Sequence, residues 1–86
     1  MPAIKGTFSE AGVSESVTRE KLDISMRFPG AASVDVEMQM PSGNWIKLET
    51  GIVDDYHKVF DGSAPQTVRL NAISAAADSC EYSIKV

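Results

Sequence analysis

The chain has 86 residues, twelve acidic and eight basic side chains, a net charge of −4 and a single cysteine. The cations stand alone or in pairs, which excludes the clustered Lys and Arg footprint of a nucleic-acid-binding domain. One cysteine excludes an intrachain disulfide framework. The length predicts one domain, residues 1–86, with a thin core of the kind that subunit association commonly supplements.

Residues 3–9 read as a strand, with Ile4 and Phe8 on one side and Lys5, Thr7 and Ser9 on the other. Gly6, between the two apolar residues, marks a bulge or a close backbone approach. Residues 10–20 are open: Val13 and Val17, four apart, suit a short amphipathic helix, while Val13, Glu15 and Val17 equally suit one face of a strand. With no cap motif to favour the helix, the segment is read as loop followed by strand. In residues 21–28, Leu22, Ile24, Met26 and Phe28 share one face, and Lys21, Asp23, Ser25 and Arg27 the other. Pro29-Gly30 then ends the run with the residues of a type II turn.

Residues 33–40 alternate without a break, which puts Val34, Val36, Met38 and Met40 in a core and Ser33, Asp35, Glu37 and Gln39 in water. On this reading Val36→Asp cripples folding, whereas Glu37→Gln is nearly silent. Pro41-Ser42-Gly43-Asn44 suits a tight hairpin with Gly43 in the left-handed position. Residues 45–50 pair back, Ile46 and Leu48 facing the core and Trp45 partly covered at a sheet edge. Residues 51–56 form a connection with a polar middle. Residues 57–60 make a short strand ended by Asp61-Gly62, and Ser63-Ala64-Pro65 continues as loop. Residues 67–74 form a strand with Val68, Leu70 and Ala72 inward and Arg69 and Asn71 outward. Residues 75–79 are a small-residue connection or one helical turn. Residues 80–86 are the last strand, with Cys80, Tyr82 and Ile84 on the core parity.

About seven short strands separated by turn residues predict an all-β fold, a small antiparallel two-layer β-sandwich that is Ig-like or jelly-roll-like. The N-terminus lacks a basic-then-apolar signal pattern and no apolar run reaches membrane-span length, so the expectation is a protein made and used in solution, with no membrane and no nucleic-acid partner.

Chemistry-bearing motifs are scarce. His57 is the sole histidine, and Asp54, Asp55 and Asp61 near it lack the spacing of a calcium loop, so they read as a solvated loop with no metal and no cofactor. No nucleophile-elbow context surrounds any serine, and the chain is read as not an enzyme. Cys80 reads as a small buried hydrophobe. Among the aromatics, Phe60 and Tyr82 read as packing residues, leaving Trp45 and Tyr56 as a sparse sugar-stacking pair. Arg69 stands outward in an apolar strand, where it either pairs across strands or anchors a subunit contact. Trp45, Tyr56 and Arg69 are therefore the candidate interface residues.

The order of pieces in residues 33–86 resembles the small β-sandwich structural proteins of tailed bacteriophages. The alternating strand ending at Met40 is followed by the Ser42-Gly43-Asn44-Trp45 turn and an acidic connection. Val59-Phe60-Asp61-Gly62, Ala64-Pro65 and Thr67-Val68-Arg69-Leu70 come next, then a small-residue turn and Tyr82-Ser83-Ile84-Lys85-Val86. Residues 1–32 add only strand-like texture. The resemblance implies a non-enzymatic virion component, made in the host cytoplasm and homo-oligomeric on the particle. Its partners would be the major capsid protein or other virion proteins. A head-decoration or cement protein is the first expectation, a neck or tail component the second. A carbohydrate-binding or adhesive module is the rival outside that group.

Overall fold

The computed structural model describes residues 3–85. Among them every regular element is a strand, and every pairing is antiparallel. The strands are β1 (Ala3–Phe8), β2 (Gly12–Val13), β3 (Val17–Arg27), β4 (Ala32–Gln39), β5 (Trp45–Ile52), β6 (Tyr56–Ala75) and β7 (Cys80–Lys85). The all-β class with seven antiparallel strands is as expected. Hydrogen bonding links them into one sheet in the order β1-β7-β3-β6-β4-β5, with β2 paired to β6. The final residue of the expected last strand, Val86, lies outside the described residues.

Two long strands make this continuity. The first part of β6 pairs with β3, from Met26 opposite Tyr56 to Lys21 opposite Asp61. The later part pairs with β4, from Gln39 opposite Thr67 to Ala32 opposite Ala75. The sheet curls as it passes between them: Lys58 on early β6 reaches Glu49 on β5 at 2.9 Å, although β4 separates β6 from β5 in the hydrogen-bonding order. Curling closes the sheet over one core, built from Leu22, Ile24 and Met26 of β3, Val34 and Val36 of β4, Val68, Leu70 and Ala72 of β6, and Cys80 and Ile84 of β7. These are the residues that period-two alternation assigns to the dry face. Each fully buried Val, Leu or Ile among them contributes about 1.5–3 kcal/mol relative to exposure.

Several local expectations need correction. Asp61-Gly62 and Ala64-Pro65 do not end a strand, because β6 runs through them. Arg19 pairs with Gln66 and Lys21 with Asp61, so Glu20 alone stands opposite residues 62–65. That bulge is where a proline, which has no N–H to give a ladder, is tolerated. Pro29-Gly30 turns the chain without type II geometry, since Gly30 is not among the residues at positive φ. Glycine serves there because its N–H faces the Ser79 carbonyl at 3.4 Å and a Cβ would meet Ser79 at 3.2 Å. Residues 75–79 make a turn rather than a helical turn, closed by the Ser79 hydroxyl accepting from the Ala76 N–H at 3.0 Å. Met40 and Ile46, expected inward, are 43% and 40% exposed. They flank the turn of the β4–β5 hairpin, at residues 41–44, beyond the buried part of the core face.

Other readings hold. Gly43 sits at φ 95°, and Met40 and Asn44 close the hairpin with a 2.7 Å bond from the Met40 N–H to the Asn44 carbonyl. Residues 10–20 are loop and strand, with no helix. Gly6 is a close approach: it pairs with Tyr82, whose ring lies over it and stacks on Phe8 with centroids 4.8 Å apart.

Candidate functional site

The sheet places three strands side by side, and their register builds the site in rows. Glu37 lies opposite Lys47 on one side and Arg69 on the other. In the next row Gln39 lies opposite Trp45 and Thr67. On the other side of the central row, Asp35 lies opposite Asn71. Directly paired residues point to one side of a sheet, so these side chains share the face turned away from the core.

Side-chain bonds tie the rows together. The Glu37 carboxylate accepts from Arg69 Nε at 2.8 Å, from Asn71 Nδ2 at 3.0 Å and from Lys47 Nζ at 3.5 Å. Asp35 accepts from Lys47 Nζ at 2.5 Å and from the Gly51 N–H at 2.9 Å. The Arg69 guanidinium lies over Trp45, its central carbon 3.9 Å from the ring centroid. Stacking of this kind adds about 0.5–2 kcal/mol and fixes the plane of the guanidinium.

Alternation correctly assigns Asp35 and Glu37 to the outer face but misses their burial: their side chains are only 6% and 7% exposed. The cations of β5 and β6 lie across them and displace water. Burial alone would raise both carboxyl pKa values. For Asp35 the Lys47 and Gly51 hydrogen bonds and the Lys47 charge outweigh it. For Glu37 the bonds from Asn71 and Arg69, the Arg69 charge and the Lys47 bond do so, and both groups are held below the ordinary carboxylate range. The same contacts raise Lys47, the hydrogen bond to Asp35 foremost.

Of the three candidate interface residues, the structure brings two together. Trp45 and Arg69 stack, and Trp45 is partly covered on the edge strand β5. Tyr56 pairs with Met26 and packs against the core on the other face. Its hydroxyl is buried without a hydrogen-bond partner among the described residues, and burial, reinforced by the Glu49 charge, raises its pKa. Glu37, Asp35, Lys47 and Asn71 are the members that sequence reasoning left out. Their signal was present: two acids at period two on β4, with cations at outward positions on the next two strands, β5 and β6.

Elsewhere the chemistry is sparse. His57 Nε2 lies 2.8 Å from Asp23 Oδ1 in an exposed pair. Asp55 accepts from the Phe28 N–H at 3.2 Å, which fastens the connection before β6. No three His, Cys, Asp or Glu side chains gather as a metal-ligand group among the described residues. Cys80 is fully buried, and burial pushes its thiol up to about 11. An open concavity of about 600 Å³ lies over β1, β7 and β3, lined in part by Thr7, Ser25 and Ser83, with Arg27 at its rim paired to Glu81 at 3.0 Å. A second, of about 490 Å³, adjoins the Trp45 row through Gln39 and Thr67. No family model, curated protein or solved structure matches the chain.

Proposed function

We propose that the chain is a non-enzymatic bacteriophage virion protein, a capsid decoration or cement protein that docks on the assembled head through the outer face of β4, β5 and β6. The observation that carries the docking surface is the Trp45–Arg69 stack, held from below by Glu37. Trp and Arg dominate the energetic centres of protein interfaces, and a pair already locked in place loses little entropy when a partner covers it. The virion assignment is supported by the turn-and-strand pattern of residues 33–86. Tyr56, turned to the core side, is left out of the contact.

The mechanism is mass action. A protein that binds the assembled lattice and not its free subunits stabilises the lattice by its own binding free energy. Copies arranged around symmetry axes, as a homo-oligomer on the particle, multiply the effect through avidity. The partner is the major capsid protein, and the chain acts in the virion after synthesis in the host cytoplasm.

The test is co-sedimentation of the purified chain with phage heads, necks and tails lacking it. Binding to heads, weakened at least about tenfold by Trp45→Ala with the circular dichroism spectrum unchanged, supports the reading. Binding only to necks or tails moves the protein to that part of the particle. Binding to a glycan array, abolished by Trp45→Ala, replaces the virion reading with a carbohydrate-binding module.

A further inference from the structure

We propose that Arg69 and Trp45 form a receptor for a carboxylate on an acidic segment of the partner protein. The proposal rests on the docking face described above and adds the chemistry of what it accepts.

The charges of the face are sorted by depth. Asp35 and Glu37 bring two negative charges, and Lys47 and Arg69 two positive ones, so the group is neutral as a whole. The carboxylates, however, are 6% and 7% exposed, against 49% for Lys47 and 25% for Arg69. The acids form a lower layer and the cations an upper one. A partner arriving from solvent meets cations first, on a chain whose net charge is −4.

Arg69 has donors to spare. Among the described residues its guanidinium makes one side-chain hydrogen bond, from Nε to Glu37. Neither Nη1 nor Nη2 has a partner among the described residues, which leaves four N–H groups of a planar fork. Glu37 fixes one edge of that plane and the Trp45 ring fixes its tilt. A rigid fork of paired N–H donors matches the two oxygens of a carboxylate, and prior immobilisation reduces the entropy lost on binding. Lys47, held by both acids and half exposed, adds positive potential beside it.

A protein carboxylate fits better than a nucleic-acid phosphate. A phosphate backbone asks for a track of cations. Here β4, β5 and β6 carry Lys47, Lys58 and Arg69, and the two lysines are already engaged, Lys47 with Asp35 and Lys58 with Glu49. What remains is a single fork on an aromatic plane.

Trp45 is the only tryptophan, so its fluorescence reports on this site alone. The full chain is titrated with a hexaglutamate peptide, with hexaglutamine, with sodium acetate and with a single-stranded oligothymidine. The expected result is a saturable change with hexaglutamate that weakens with added salt and is absent with hexaglutamine. Arg69→Lys keeps a charge for Glu37 but loses the fork and the stacking, and it lowers the affinity at least about tenfold. Trp45→Ala, followed by calorimetry, is the second variant and shows a loss in the same direction. Equal affinity in both variants, an equal response to hexaglutamine, a response to acetate as strong as to hexaglutamate, or tighter binding of oligothymidine overturns the proposal. Co-sedimentation on the same preparations separates the two readings. Heads bound without hexaglutamate binding sink the carboxylate receptor alone, and hexaglutamate bound without binding to heads, necks or tails sinks the virion assignment alone.

Discussion

Glu37 and Arg69 face each other across the β4–β6 ladder, and the carboxylate accepts a 2.8 Å hydrogen bond from Arg69 Nε while remaining almost wholly out of water. Glu37 occupies the polar side of the strand yet is packed like an interior residue. Its energetics are therefore those of a buried, hydrogen-bonded charge and not those of a surface decoration.

Glu37→Gln is accordingly not silent, contrary to the expectation from alternation. The amide keeps the volume but removes the charge that Arg69 and Lys47 complement, and it presents a donor where three donors already point. The expected loss is about 1–3 kcal/mol in urea unfolding. Val36→Asp, next to it, buries an unpaired charge in the core and costs more than about 4 kcal/mol, enough to unfold a domain this small. A Glu37→Gln midpoint equal to that of the wild type rules out the buried network.

The same network sets an acid limit. Asp35 and Glu37 are held below their ordinary values of 3.8 and 4.5. As pH falls through that range the unfolded chain takes up protons before the folded one does. Their contribution to stability is thus fully present above the ordinary values and is lost as pH drops through the folded values beneath them. Denaturant midpoints measured from pH 7 down to about 2.5 should fall steeply below about pH 4.5. The fall should be shallower in Asp35→Asn, which starts from a lower stability. A wild-type profile that is flat in this window contradicts the assignment.

Gly6 and Tyr82 make a second coupled pair. A Cβ at position 6 would sit 2.7 Å from the Tyr82 hydroxyl oxygen and 2.9 Å from its ring carbon Cζ. Gly6→Ala must displace a ring that also stacks on Phe8, at an expected cost of about 1–3 kcal/mol. Combining it with Tyr82→Leu, which shortens the side chain, should recover part of that cost. Thermal melts of the two single variants and the double variant check this through their coupling energy.

Cys80 is fully buried on β7, with its thiol pushed up to about 11. It should ignore a disulfide reagent at pH 8 in the native protein and react promptly in denaturing urea. Stoichiometric labelling of the native protein within minutes would mean that β7 opens readily or that the strand faces the other way.

Alternation along the chain determined much of this molecule. Leu22-Asp23-Ile24-Ser25-Met26, Val34-Asp35-Val36 and Cys80-Glu81-Tyr82-Ser83-Ile84 each display a dry and a wet side through neighbours one and two residues away, and extended backbone turns that spacing directly into faces. The Gly43 hairpin was legible for the same reason, because its geometry is settled within four residues. What only the tertiary structure decided is whatever depends on which strands become neighbours. Asp61-Gly62 and Ala64-Pro65 read locally as breaks, but pairing with β3 on both sides of the bulge, joined by β4 on the far side, carries β6 through them. Asp35 and Glu37 read as wet until β5 and β6 laid Lys47 and Arg69 over them, and Trp45 met Arg69 only because β4 aligned both. A residue's face follows from its own chain. Its burial and its partners follow from segments ten to thirty or more residues away, and contacts that distant leave no periodic mark in the sequence.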